Sequence, residues 1–339
     1  MSWLRSIVQF LFPPRSSSSL AILRSGLGLS VIFFCLSFSS PWSHAFASSD
    51  NSLINRDLAE AIAAYGNPIV PRLGWLVSLG EWLGVSENHV LWACYVSLLL
   101  SGGCLVVGFL SRIAAVTAWF LHLAAVTSAG LASYGVDQFM TIGLFYLVVA
   151  PLPKTSVFSR QPPNPANEDR QVFGFFQRVL QLHLCFIYFF GGLAKCVGPD
   201  WWNGGSLWRA LTRPPFDQIA LQVLVGWSAI FPVAGIFVCL IELCYPIFIW
   251  PRKTRDVWLL LVTGMHCAIG LMMGMYLFGF VMIVLNIAAF GPGSSWDRLL
   301  RLLVLQVKLR FGANDPMKVR PIARLEMVTS SFCRRSRRV

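Results

Sequence analysis

The chain has 339 residues, of which 56% are hydrophobic and only 12% are charged, and its mean hydropathy is +0.64. Soluble globular chains carry about 25% charged residues, so this chain has too little charge to cover a soluble surface of its size. The composition excludes an ordinary soluble protein. It predicts an all-α, polytopic integral membrane bundle whose main partner is the lipid bilayer.

The net charge of +12 comes from 27 Lys and Arg against 15 Asp and Glu. The basic residues cluster between apolar runs and in the C-terminal tail, which is typical of anchors that meet anionic lipid. No base-stacking module or groove-reading helix is present in the sequence, so we expect no nucleic-acid partner. The nine cysteines include no CxxC motif, which argues against a disulfide framework or a metal site.

Eight apolar runs predict about eight transmembrane helices. In chain order these runs are 20–38, 89–110, 112–131, 137–152, 172–195, 229–250, 257–273 and 276–290. The fourth and eighth are short for a hydrocarbon core of roughly 30 Å, so we expect them to tilt or to extend into loop residues. In the polar loop 41–88, two helix-like segments at 57–65 and 75–83 are expected to lie along the membrane interface.

The domain organisation follows from these runs. Residues 1–19 are predicted to be a cytoplasmic lead, 20–292 the transmembrane domain, and 293–339 a cytoplasmic amphipathic and basic tail. The sequence Ala45-Phe46-Ala47 resembles a signal-peptidase site. It lies several residues beyond the first apolar run, which favours an uncleaved first span, and cleavage near Ala47 stays open as the alternative.

The distribution of basic residues predicts the orientation in a plasma (inner) membrane. With the N-terminus in the cytoplasm and eight alternating spans, 22 of the 27 Lys and Arg fall on the inside. The five on the outside are Arg56, Arg72, Lys195, Arg209 and Arg213. Both termini are therefore predicted to be cytoplasmic.

Lys195 ends the fifth predicted span and follows Gly191 and Gly192, which allow close approach of a neighbouring helix. Partial desolvation disfavours a charged lysine, so its amine is a candidate catalytic base. The alternative is a snorkelling lysine at the outer interface, paired with Asp200. Trp201 follows directly and suits the headgroup level.

Two further ionisable residues lie in the middle of predicted spans, where such groups are costly. Glu242 needs a partner or a proton, and His266 is a candidate acid, base or orienting group. The two residues lie at similar depth on adjacent spans, so contact between them is one expectation. The alternative for His266 is an interior histidine that hydrogen-bonds across helices.

Asp137 opens the fourth predicted span at the outer face. A carboxylate at this place commonly caps a helix. With Lys195 near the same face, Asp137 is also a candidate for lining an outward-facing cavity.

Two segments carry a resemblance to a known family. The first joins Ile187–Lys195 to Asp200-Trp201 and to Gly204-Gly205-Ser206, and the second runs from His266-Cys267 through Phe278 to Met282. Pro71-Arg72, Gly135-x-Asp137, and Glu242 with Pro246 are further matching features. Over residues 18–295 the chain resembles the HTTM (horizontally transferred transmembrane) family, the membrane domain shared with vitamin K-dependent γ-glutamyl carboxylase.

The resemblance implies that Lys195 matches the lysine that deprotonates reduced vitamin K in the carboxylases, and it makes a reduced quinone a candidate cofactor. Two departures weigh against full carboxylase activity. Asp137-Gln138 stands where the carboxylases carry a functional histidine, and only about 45 residues follow the last span, where the carboxylases have a large propeptide-binding domain.

Three functional hypotheses follow. The first is an HTTM-like protein with quinol-linked or peptide-modifying chemistry at a quinone- or lipid-sized cavity between spans four to eight, with Lys195 as base and His266 as orienting or proton-relaying partner. The second is a non-enzymatic membrane partner or maturation factor for a secreted peptide, in which Lys195, Glu242 and His266 only hold helices together. The third is a transporter, which the absence of an internal repeat disfavours.

Overall fold

The computed structural model describes residues 2–38, 42–48, 56–152 and 167–292. Over these ranges the α-helices are α1 (Ser2–Leu11), α2 (Ser18–Ser37), α3 (Trp42–Phe46), α4 (Arg56–Gly66), α5 (Leu73–Trp82), α6 (Glu87–Val107), α7 (Ser111–Ala129), α8 (Gly135–Val149), α9 (Asn167–Val197), α10 (Pro199–Trp202), α11 (Gly205–Thr212), α12 (Leu221–Gly226), α13 (Phe231–Phe248), α14 (Arg252–Met273) and α15 (Tyr276–Phe290). Single 3-10 turns at Gly130–Ala132 and Ser228–Ile230 precede α8 and α13.

The predicted fold class, an all-α membrane bundle, is confirmed. Six helices (α2, α6, α7, α9, α13 and α14) are long and apolar enough to cross a membrane. The remaining two predicted spans are the apolar helices α8 and α15, which have 15 residues each. Since 15 helical residues rise only about 22 Å, the predicted count of eight crossings is not confirmed, although a helix occupies the place of every predicted span.

Helix α2 lies at the centre of one half of the bundle, packed against α6, α8 and α15. Its residues Leu23, Leu27 and Val31 are completely buried. Gly28 faces Gly102 of α6, and a Cβ on either glycine would lie within 3.0 Å of the carbonyl oxygen of the other. The two backbones approach this closely because neither residue has a side chain.

The second half of the bundle pairs α9 with α13 and α14 with α15. Helix α15 also packs against both α2 and α9, so it connects the two halves. Its buried residues include Val281, Leu285 and Asn286. Helices α4 and α5 occupy the places of the two predicted interfacial segments, and α1 lies within the predicted lead 1–19. The predicted tail 293–339 lies outside the described residues.

One end of the bundle, which we call the arginine end, gathers Arg24, Arg112, Arg178 and Arg255. Arg24 Nη1 donates to Ser111 Oγ over 3.2 Å, Arg112 donates to the carbonyl of Val148, and Arg178 Nε donates to the carbonyl of Phe10 over 2.9 Å. Arg255 Nη2 donates to the carbonyl of Trp250 over 2.7 Å. These bonds connect the start of α2, α7, α9 and α14 with the end of α1, α8 and α13.

The opposite end of the bundle carries carboxylates. Buried Arg56, at the start of α4, forms an ion pair with Glu87, and its Nε lies 3.9 Å from Glu60 Oε1. Lys195, Glu242 and Asp200 lie on the elements that meet at this end in the other half of the bundle. The residues that the sequence places in or beside the outer loops therefore lie at the same end of the bundle.

Candidate functional site

The site is centred on an ion pair between α9 and α13. Lys195 Nζ, in the last turn of α9, donates to Glu242 Oε2 over 2.5 Å. The Lys195 side chain is 25% exposed and that of Glu242 is 11% exposed. The indole of Trp201 lies beside the pair, with its ring centroid 5.4 Å from Lys195 Nζ. A carboxylate and an aromatic face therefore hold the cation at the edge of the bundle.

Two glycines make this geometry available. A Cβ on Gly192 would lie 2.6 Å from the backbone nitrogen of Leu243 and 3.0 Å from the Cβ of Glu242. A Cβ on Gly191 would lie 3.3 Å from Glu242 Oε2 and 3.8 Å from Lys195 Nζ. The glycine pair therefore lets α13 approach α9 so closely that Glu242 reaches Lys195, one turn further along α9. The close helix contact that the sequence predicted at these glycines is the contact with α13.

A second polar group lies deeper between α9, α13, α14 and α15. His266 Nε2 is 2.8 Å from the hydroxyl of Tyr188, which is 2.7 Å from Asn286 Nδ2. The hydroxyl of Tyr245 donates to Asn286 Oδ1 over 2.7 Å. All four side chains are buried. They form one chain of hydrogen bonds across four helices.

This hydrogen-bond chain leaves one ring nitrogen of His266 without a partner. Asn286 Nδ2 also donates to the carbonyl of Met282, which assigns the amide nitrogen and oxygen of Asn286. Tyr188 accepts a hydrogen bond from Asn286, so its own hydroxyl can donate to His266 Nε2. His266 Nδ1 is buried without a hydrogen-bond partner among the described residues.

Two sequence-based pairings are corrected by this geometry. Glu242 pairs with Lys195 and His266 with Tyr188, so the possible pairing of Glu242 with His266 is replaced by two separate hydrogen bonds. Equal depth on neighbouring helices does not place two side chains face to face, because each residue also rotates the helix face by about 100°. In the same way, Asp200 pairs with Arg209 rather than with Lys195.

Asp200 lies outside the membrane-spanning helices, in the short helix α10. Its carboxylate accepts a hydrogen bond from Arg209 of α11. This hydrogen bond and the positive charge of Arg209 lower the pKa of Asp200 from its ordinary value. Both side chains are exposed, so the pair is a surface clamp between α10 and α11 next to the Lys195 site.

Asp137 lies elsewhere. Its Oδ2 accepts the backbone N–H of Tyr134 over 2.8 Å and closes a capping box at the start of α8, the structural role that its position suggested. It also lines a cavity of about 700 Å³ between α2, α3, α7, α8 and α15. Aromatic residues including Phe33, Phe38 and Phe280 dominate the cavity wall.

This cavity differs in place from the one that the sequence predicted between spans four to eight. Lys195, Glu242 and His266 are not among its lining residues. The difference arises because α2, the first span, lies at the centre of the bundle and forms part of the wall. Hydropathy reports which segments are apolar but not which of them are neighbours.

Sequence reasoning missed Tyr188, Tyr245 and Asn286. Tyr188 lies in a run of apolar residues and reads as one more aromatic side chain. Asn286 offered a signal, because it is the only strongly polar residue within α15 and such residues in apolar helices commonly hydrogen-bond across helices. No cluster of three His, Cys, Asp or Glu suited to a metal ion occurs among the described residues.

The sequence comparisons agree with the fold. A family model for the HTTM domain matches residues 55–293, which is well over half of the chain. No curated protein and no solved structure gives a match. The matched residues contain Asp137, Lys195, Glu242 and His266. On this match, the chain is a multi-pass membrane protein that belongs to the HTTM family.

Proposed function

We propose that the chain catalyses proton transfer within the membrane, with Lys195 as the base and a reduced quinone as the acid. The observation that carries this proposal is the 2.5 Å contact between Lys195 and Glu242, in which a lysine and its proton acceptor share a partly buried place at the edge of the bundle. The substrate class comes from the resemblance of the Lys195 segment to the vitamin K-dependent carboxylases.

The chain's own residues supply both halves of the proton transfer. Glu242 takes a proton from the Lys195 ammonium and becomes a carboxylic acid, while Lys195 becomes a neutral amine. The amine of Lys195 then removes a hydroxyl proton from a bound quinol, which leaves a quinol monoanion beside the restored ammonium. Glu242 releases the proton that it took up to water, which returns the pair to its starting state. A partly buried place with little water strengthens the attraction between the restored ammonium and the quinol anion.

His266 supports a role in orientation. With its proton on Nδ1, His266 presents a buried donor without an acceptor among the described residues. A ring oxygen of a quinol would satisfy this donor, and Phe278, whose ring packs edge-on against His266 with centroids 5.5 Å apart, supplies apolar surface nearby.

The proposed orientation places this site on the outer side of the plasma membrane. The arginine end collects basic residues from α2, α7, α9 and α14, as expected for the cytoplasmic side. Lys195 lies at the opposite end. With this orientation, the chemistry faces the periplasmic or lumenal side.

The first test measures bound quinones. We would extract quinones from protein purified in mild detergent and quantify them by mass spectrometry for wild type, Lys195→Met and Lys253→Met. Lys253 is exposed at the arginine end, so Lys253→Met controls for the loss of one lysine. We expect enrichment over an unrelated membrane protein in the wild type and in Lys253→Met. No enrichment in a folded wild-type sample would contradict the proposal.

The second test separates binding from chemistry. A quinolate absorbs at longer wavelength than its quinol, so the ionisation of an added quinol is followed directly in the purified protein. We expect wild type to ionise the bound quinol at lower pH than Lys195→Met does. Equal ionisation in both proteins would remove Lys195 from the role of base.

A second candidate function is a non-enzymatic partner for a secreted peptide. It is favoured by the same ion pair, because Lys195 and Glu242 join α9 to α13 where Gly192 brings the backbones together. On this hypothesis, Lys195→Met lowers the folded yield in detergent and changes nothing specific to quinols.

A further inference from the structure

Arg178, near the start of α9, is an unusual residue because its charged side chain is nine-tenths buried at the arginine end. Its Nε donates to the carbonyl of Phe10 over 2.9 Å and its Nη1 to Gln181 Oε1 over 3.0 Å. The guanidinium also lies 4.3 Å from the ring centroid of Phe10 and 4.8 Å from that of Trp250. It is held in place entirely by neutral groups.

Two more half-buried arginines lie near the same place. The backbone N–H of Arg15 donates to the carbonyl of Arg170 over 2.9 Å, two turns before Arg178 on α9. Arg255 contacts Trp250, the residue whose ring lies against Arg178. Arg255 donates to the carbonyls of Ile249 and Trp250, over 3.3 and 2.7 Å, so Trp250 contacts both Arg178 and Arg255.

Among the described residues, one carboxylate acts on this cluster. Asp256 attracts Arg255, but within the described ranges no salt bridge joins Arg15, Arg178 or Arg255 to a carboxylate. Three guanidiniums that repel one another in a partly buried place are destabilising unless an anion joins them. Their many N–H donors in fixed planes match the oxygens of a phosphate.

The start of α14 adds to the positive potential. Its first turn carries Arg252 and Lys253, where the positive end of the helix dipole already disfavours cations. The charges of Arg15 and Arg252 both act on Arg255. A sequence that places cations at a helix N-terminus is unfavourable on its own, and an anion at this place removes the conflict.

Helix α1 indicates the source of that anion. Its residues Trp3, Leu4, Ile7 and Val8 recur at helical spacing, and each is between 45 and 63% exposed. A short helix with one apolar, solvent-facing stripe is typical of a segment that lies in the membrane interface. Phe10 of this helix touches Arg178, so a helix lying in the interface would bring the arginine cluster to the depth of the lipid phosphates.

We propose that Arg15, Arg178 and Arg255 form a binding site for the phosphate of an anionic phospholipid, whose acyl chains lie against the apolar stripe of α1. The site is at the opposite end of the bundle from Lys195, and it does not depend on the proposed proton-transfer function. The bound lipid then holds α1 against α9.

The experiment measures the thermal stability of delipidated full-length protein in mild detergent, with phosphatidylglycerol, phosphatidylcholine or inorganic phosphate added at equal concentration. We compare wild type with Arg15→Gln and Arg255→Gln, which leave Arg178 and its aromatic contacts in place. Arg213→Gln, at an exposed arginine of the opposite end, is the matched control.

We expect phosphatidylglycerol alone to raise the melting temperature of wild type and of Arg213→Gln. In Arg15→Gln and Arg255→Gln, the lipid concentration needed for half of the effect should rise about fivefold for each arginine removed. Equal stabilisation by phosphatidylcholine would overturn the proposal, because apolar solvation would then explain it. Equal stabilisation by inorganic phosphate would overturn the lipid assignment. If Arg213→Gln weakened the response to phosphatidylglycerol as much as the other two variants, general surface charge would explain the effect and the proposed site would be wrong.

Discussion

The two ends of the bundle hold their cations by different means. At the arginine end, Arg112, Arg178 and Arg255 donate to backbone carbonyls at or near helix C-termini. At the opposite end, Arg56 and Lys195 meet carboxylates. The described salt bridges all lie at this second end.

The difference shows two ways to stabilise charge in a membrane protein. Helix C-termini offer partial negative charge from unpaired carbonyls, so they stabilise a single cation without a salt bridge, and a neutral donor can take the place of that cation. A buried ion pair is different, because each member becomes an uncompensated charge when the other is removed. The end with carboxylates is therefore the end at which single substitutions should be most damaging.

The largest effect is expected for Arg56→Gln. Arg56 is 5% exposed and contacts Asp57, Glu60 and Glu87, so its loss leaves three carboxylates without their cation. We expect a loss of about 3–5 kcal/mol in the free energy of unfolding, measured by denaturant titration in detergent. A loss no larger than that of Arg255→Gln would remove the contrast between the two ends.

Glu242→Gln should come next. The amide keeps a hydrogen-bond acceptor for Lys195 but not the charge, and Lys195 is partly exposed, so we expect a loss of about 2 kcal/mol, between the values of exposed and buried pairs. A double-mutant cycle with Lys195→Met measures the coupling. If the two single losses simply add, the ion pair does not stabilise the contact between α9 and α13.

Gly192→Ala tests the close approach that makes the ion pair available. The new Cβ would meet the backbone of Glu242 and Leu243, which cannot rotate away as a side chain does, so we expect a loss of about 1–3 kcal/mol in the same titration. Gly264→Ala is the control, because a Cβ at that helical glycine has nothing within 4 Å. The control should be neutral or slightly stabilising, and an equal loss in both variants would contradict the packing argument.

Arg255→Gln should have a smaller effect of about 1 kcal/mol. It loses hydrogen bonds to two neutral carbonyls, and it also relieves repulsion with Arg15 and Arg178. The measurement is made on delipidated protein so that bound lipid does not contribute. A loss comparable to that of Arg56→Gln would show that the carbonyls depend on this cation as strongly as the carboxylates depend on theirs.

The smallest effect is expected for Arg209→Gln. The exposed pair of Arg209 and Asp200 should contribute no resolvable melting-temperature difference at neutral pH. Because Arg209 lowers the pKa of Asp200 in the folded protein, any contribution is present above the ordinary aspartate pKa and is lost as the pH falls through the lowered value. Carbon NMR of the Asp200 carboxyl should show its pKa rising toward the ordinary value in the variant, and an unchanged pKa would contradict the pairing.

The sequence predicted the helices well and their partners poorly. Helix positions follow from apolar runs, and the glycine pair before Lys195 marked a close helix contact, because both signals are local. The partner of Glu242 depends on how far α13 is rotated against α9, which hydropathy does not encode. The same limit explains why Tyr188 and Asn286 were missed and why α2 was not expected to line the cavity beside Asp137.

The hydrogen-bond chain that ends at His266 has a direction. Protons point from Tyr245 to Asn286, then to Tyr188 and on to the imidazole. An amide does not readily give up or take a proton, so Asn286 prevents proton transfer along this chain of hydrogen bonds. The hydrogen-bond chain therefore fixes the orientation of the His266 ring but does not deliver a proton to it.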